Sequence, residues 1–185
     1  MFNYLFVVLI VVAIFIYFYS KKYSIKIRNQ SGYLHSLPQY YGFYASLWFL
    51  IPSLIIISLY LVFAESFVTS TLIKSLPNDI KNLPVNELNL VVNDIKNLAV
   101  GNIANSSSFI GINEAANFYN KQYELIDKVV FYSSLIIGLL TFTYAYKTIS
   151  SSYRARNFIE SAIHILLFGS RSEEHTSELQ SPMYL

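Results

Sequence analysis

Three side chains stand out as candidates to carry a proton: His35, Glu160 and His164. Glu160 and His164 are four residues apart, so a helix would place them on one face. They lie in an apolar stretch, where an ionisable pair marks a candidate proton relay. Both also sit near the start of that stretch, which favours a polar contact at a membrane edge. His35 stands in "YLHSLPQYYG", with no second His or carboxylate at metal-ligand spacing, and reads as a hydrogen-bonded loop residue. A membrane enzyme would need all three groups to converge. "SSSYRARNFIE" adds hydroxyls and the cations Arg154 and Arg156, which could hold a lipid phosphate or a partner; the preferred reading is a basic membrane anchor. The glycines Gly32, Gly42, Gly101, Gly111, Gly138 and Gly169 form no phosphate-loop spacing. There is no Cys, which excludes disulfides and thiolate zinc sites. A net charge of +2 is too small for a nucleic-acid footprint. No catalytic, cofactor-binding or metal-ligating residue is therefore assigned, no cofactor is expected, and the chain is not expected to be an enzyme.

The elements that would position these residues are membrane helices. Of the 185 residues 54% are hydrophobic and only 13% charged, and the apolar residues come in blocks. The first block is 2–19, whose eighteen residues give roughly 27 Å as a helix. A signal peptide is disfavoured, because no Lys or Arg precedes the run and no cleavage site follows it. The second is 44–63, which contains Pro52; a proline there frees a carbonyl one turn earlier and predicts a kink. The third is 129–146, where Ser133, Ser134 and Gly138 are small enough for a neighbouring helix to approach closely. The fourth, 158–170, is only the start of a span.

Charge orders these spans. Segment 20–43 carries Lys21, Lys22, Lys26 and Arg28 and no acid. Segment 64–128 carries five Lys against seven acids, and 147–157 carries Lys147, Arg154 and Arg156. The alternation predicts an N-terminus outside, with 20–43 and 147–157 inside and 64–128 outside. Tyr and Trp gather at the proposed edges, as an aromatic belt requires.

The outside segment predicts a small helical cap. The helical character of the second span continues through "ESFVTSTLIKSL" until Pro77. Leu88, Val91, Val92, Ile95 and Leu98 recur at helical spacing, and Gly101 follows as a stop. "NSSSFIG" is turn-like, and "INEAANFYNKQYELIDKVV" runs as a helix into the third span. Packing is the cap's expected role. The fold class is all-α: a polytopic membrane protein fragment with three transmembrane helices, the start of a fourth and an external helical cap.

Two strings carry a family resemblance. "LHSLPQYYGFYASLWFLIP", after a basic stretch, and "YRARNFIE", after the third span, resemble the N-terminal extension of long PstC-type permeases of bacterial phosphate ABC transporters. The resemblance covers roughly 1–170. It implies a location in the bacterial inner membrane and a complex. The partners implied are a second permease subunit, a pair of ATPase subunits and a periplasmic phosphate-binding protein. It also implies alternating access driven by ATP hydrolysis in those partners, with the translocation core beyond the residues present. Phosphate rests on the resemblance alone. A self-standing three-helix membrane protein, structural or sensory, is the competing reading.

The tail "RSEEHTSELQSPMYL", 171–185, does not suit the span it follows. Each charge at mid-bilayer depth costs about 2.5–3.5 kcal/mol. The tail also resembles one reading frame of a common short-read sequencing adapter. It is expected to be translated adapter, with the native gene continuing past Ser170, and is set aside from fold reasoning.

Overall fold

The computed structural model describes residues 2–102 and 111–178, with side chains from 4 to 102 and 111 to 168. Six helices follow one another: α1 Phe2–Ser31, α2 Pro38–Ser75, α3 Asn78–Lys81, α4 Val85–Ala99, α5 Ile112–Thr148 and α6 Ala155–Glu178. No strand occurs among the described residues. Helices α1, α2 and α5 are long and apolar enough to cross a membrane. Many of their large apolar side chains face outward, including Phe15 at 70% and Val62 at 69% exposure. Such surfaces are stable against lipid and costly against water. The chain is thus an all-helical membrane protein with three candidate spans.

The helices are longer than the apolar blocks that nucleate them. The 38 residues of α2 and 37 of α5 give each roughly 55 Å, against about 30 Å of hydrocarbon. The surplus builds the cap. The expected stop before Pro77 is found: α2 ends at Ser75. Helix α4 matches its apolar periodicity, and α5 begins at Ile112 as the sequence implied. Most of "NSSSFIG" lies outside the described residues. The single turn α3 had no sequence signal. Helix α6 continues past Ser170 to Glu178; no Gly or Pro lies between them to oppose a helical backbone.

The chain divides into two compact units. One comprises Met1–Val7 and Pro52–Ile136. Its core joins Val68 and Leu72 of α2, Leu76 just past its end, Val92 and Ile95 of α4, and Ala116 and Tyr119 of α5. Helix α4 ends in a Schellman motif: Gly101 N–H donates to the Leu98 carbonyl at 3.0 Å and Asn102 N–H to Asn97 at 2.8 Å. Gly101 adopts φ +90°, which a side chain would strain, so the residue read as a stop does its work through backbone conformation. Lys96 Nζ meets Glu65 Oε1 at 2.8 Å, tying α4 to α2. Between α2 and α5, the Ser53 hydroxyl donates to the Ser134 carbonyl at 2.9 Å, and the Tyr60 hydroxyl to Asp127 Oδ1 at 2.6 Å. Ser134 is buried, as its small size at a close approach predicts.

The other unit comprises Val8–Ile51 and Ile137–Leu185. Helices α1 and α2 touch closely at Gly42, where an added Cβ would lie 2.9 Å from the Tyr17 carbonyl oxygen. One turn on, the buried Ser46 hydroxyl donates to the Ala13 carbonyl at 2.9 Å. Pro52 lacks an N–H, so the Trp48 carbonyl has no helical partner. The Thr141 hydroxyl of α5 supplies one at 2.6 Å.

Candidate functional site

The second unit holds a polar and aromatic junction, where the loop 32–37 and the start of α2 meet the link 149–154 and the start of α6. Each of these segments exposes backbone groups that regular helices would satisfy. Helix α6 begins at Ala155, so its first amides need acceptors from elsewhere. Ser36 provides one: Arg156 N–H donates to Ser36 Oγ at 3.3 Å. A side chain 120 positions away in sequence thus acts as an N-terminal cap. The loop answers in kind, His35 N–H donating to the Ser151 carbonyl at 2.9 Å. The Tyr41 hydroxyl donates to the Tyr153 carbonyl at 2.7 Å, with the Ser150 carbonyl at 3.4 Å.

Beneath these bonds lies a core of Tyr41, Tyr44, Ala145, Ile149, Ala155 and Ile159. The Tyr44 ring lies 4.9 Å from that of Tyr153 and 5.0 Å from that of Phe158, the latter edge-on. Trp48 stacks on Phe158 with centroids 6.1 Å apart. The aromatic residues that sequence assigns to a membrane belt therefore also knit α2 to α6.

The three proton-carrying candidates do not share a described contact. His35 is exposed and engages through its backbone. Glu160 accepts from Arg156 Nε at 2.6 Å, an i,i+4 pair on the exposed face of α6. Helical spacing gives Glu160 two neighbours, one turn before and one after, and the earlier is the one it binds. His164 is exposed one turn later. Among the described residues no group of three or more His, Asp and Glu is placed to hold a metal ion. What the junction can do is mechanical: it fixes the direction in which α6 leaves α5.

The residues that make this junction are those that carried the resemblance. Leu34 to Trp48 and Tyr153 to Glu160 are distant in sequence and interlocked here. A family model described as phosphate ATP-binding cassette transporter matches residues 5–170. The chain belongs to that family. Within this phosphate ABC transporter family member, the match spans both units and ends where the apolar character of α6 ends. No curated protein and no solved structure matches the chain.

Sequence reasoning missed the roles of Ser36, Tyr41 and Thr141. Ser36 and Tyr41 left no local signal, because each serves a backbone group more than a hundred positions away. Thr141 was legible in part: Pro52 announces an orphan carbonyl, and Thr141 is among the hydroxyls of the facing span.

Proposed function

We propose that this chain is the N-terminal extension of a PstC-type permease subunit, the membrane component of an ATP-driven phosphate importer of the bacterial inner membrane. The extension packs beside the permease core or stabilises its assembly, and it performs no catalysis itself. The core, where phosphate would pass, lies outside these residues. Assembly is with a second permease subunit, a pair of ATPase subunits and a periplasmic phosphate-binding protein. The N-terminus and the α3–α4 cap face the periplasm, and the two basic segments face the cytoplasm. Residues 171–185 are translated adapter sequence.

The observation that carries this reading is the family match over residues 5–170. The junction supports it: a rigid hold on the start of α6 is useful where α6 leads into further helices. The two units fit the orientation. Met1–Val7 shares one with the acidic segment, while both basic segments belong to the other.

The absence of native Cys makes the orientation directly measurable. Asn86 and Gln30 are both exposed. A membrane-impermeant maleimide should label Asn86→Cys in intact spheroplasts and Gln30→Cys only after lysis; the opposite pattern overturns the orientation. Subunit identity is tested at the gene. A permease core encoded after codon 170 supports it, and a soluble domain or a stop there refutes it. Codons 171–181 that depart from the adapter would end the adapter assignment.

A further inference from the structure

A broad pocket of about 710 Å³ lies along the C-terminal half of α1. Its wall is one helical face, Tyr19, Lys22, Tyr23, Lys26 and Gln30, closed on the far side by Tyr146 of α5. Tyr146 stacks on Tyr19 at 5.5 Å and packs on Tyr23 at 4.5 Å, which holds that rim in place. Lys22 and Lys26 are exposed, and neither has an ion-pair partner among the described residues. No acid occurs in 20–43 or in 147–157, and none is among the described residues that line the pocket.

We propose that this pocket binds the phosphate headgroup of an anionic phospholipid. The chemistry needed is that of any phosphate-bearing anion: cationic donors, amide donors and no competing carboxylate. Position along the helix selects the lipid over free phosphate. Tyr19 ends the apolar block, and Lys22 and Lys26 follow it by roughly 5 and 10 Å of helical rise. The headgroup layer is about 5–7 Å deep on each side of the bilayer. Lys22 therefore reaches the phosphate level directly, and Lys26 reaches back to it along its flexible stem. The Tyr rings lie at the glycerol and ester level, where such side chains are favoured. Asn29 and Gln30 stand one turn further out, suited to headgroup hydroxyls. The site needs only that 20–43 flank the membrane, whichever side it faces.

The test titrates the full chain in detergent with phosphatidylglycerol, with phosphatidylcholine and with inorganic phosphate, reading bound species by native mass spectrometry. Phosphatidylglycerol should bind in preference to phosphatidylcholine. The double variant K22Q/K26Q should weaken it by about 30-fold. K22R/K26R should keep it, and the control K121Q/K128Q, which removes two exposed charges from α5, should leave it unchanged. Equal binding of the two lipids, or equal loss in the control, overturns the proposal. Saturable binding of inorganic phosphate that displaces the lipid also overturns it, and makes the pocket a site for a soluble anion.

Discussion

The Thr141 hydroxyl donates to the Trp48 carbonyl at 2.6 Å, and Trp48 stands four residues before Pro52. The proline removes the amide that would have bonded that carbonyl, and a second helix restores the bond. The Ile137 and Gly138 carbonyls of α5 also lie within reach, at 3.1 and 2.9 Å. A hydroxyl has one proton, and the shortest contact crosses to α2. Replacing Thr141 with Val should therefore destabilise the α2–α5 contact, by about 0.6–1.7 kcal/mol on the scale of hydrogen bonds between membrane helices. Thr141→Ser should be close to neutral. In a Pro52→Ala background the amide returns, and Thr141→Val should lose most of its effect. Thermal unfolding of the four proteins in detergent measures the coupling; additive effects would mean the hydroxyl does not serve the proline.

Gly42 sets two simple rules against each other. By helix propensity alone, Gly42→Ala should stabilise α2 by about 1 kcal/mol. By contact it should destabilise. The new Cβ would meet Tyr17 Cδ2 at 2.6 Å and the Tyr17 carbonyl oxygen at 2.9 Å. The ring can turn away, but the carbonyl belongs to α1 and cannot move without its helix. The contact should win, with a net loss of about 1–3 kcal/mol. Adding Tyr17→Ala should not rescue it, because the carbonyl remains. A rise in unfolding temperature for Gly42→Ala would mean the helices can separate at no cost.

These two sites show which parts of the fold the sequence announces. Hydropathy blocks locate α1, α2 and α5, because lipid exposure demands long apolar runs. Pro77 and Gly101 mark helix ends through backbone chemistry that is local, and both ends are found as read. The lengths of the helices were less legible. Segment 20–31 is basic and polar, yet helical, since once α1 is nucleated each added residue needs only one further hydrogen bond. The junction was least legible of all. "LHSLPQYYG" and "YRARNFIE" were visible as strings, but Ser36 capping α6 and Tyr41 reaching the 149–154 link are pairings that only the folded chain creates. Glu160 illustrates the same limit: helical periodicity offers it His164 or Arg156, and the choice falls to the cation.

The junction should open when its part-buried hydrogen bonds are removed. Tyr41→Phe keeps the ring and deletes the hydroxyl that serves the Tyr153 carbonyl. At about 1 kcal/mol for such a bond, local opening of the 149–154 link should become roughly fivefold more frequent. Arg154 and Arg156 make that opening visible, since both are trypsin sites inside the junction. Limited proteolysis after these residues should accelerate by the same factor in Tyr41→Phe. Ser36→Ala should act in the same direction, through loss of the α6 cap. An unchanged rate in both variants would mean the link opens by a route that leaves these bonds intact.

The cap carries a weaker and pH-dependent tie. Glu65 lies past the apolar block of α2, and the Lys96 ammonium beside it holds its carboxyl below the usual range. A carboxyl depressed on folding contributes stability above its unfolded value and loses that stability as the pH falls through the folded one. The contribution should therefore be present at neutral pH and vanish only well below about pH 4. Glu65 is largely exposed, so solvent screens the pair, and a double-mutant cycle with Glu65→Gln and Lys96→Gln should give no more than about 1 kcal/mol. Raising the salt concentration should shrink that coupling. Truncating Ile95, fully buried between the same helices, should instead cost about 2–5 kcal/mol with little dependence on pH or salt. Hydrogen exchange of the α4 amides resolves the two effects. If Ile95→Ala protects or exposes α4 no differently from Lys96→Gln, the ion pair and not the apolar face holds the cap in place.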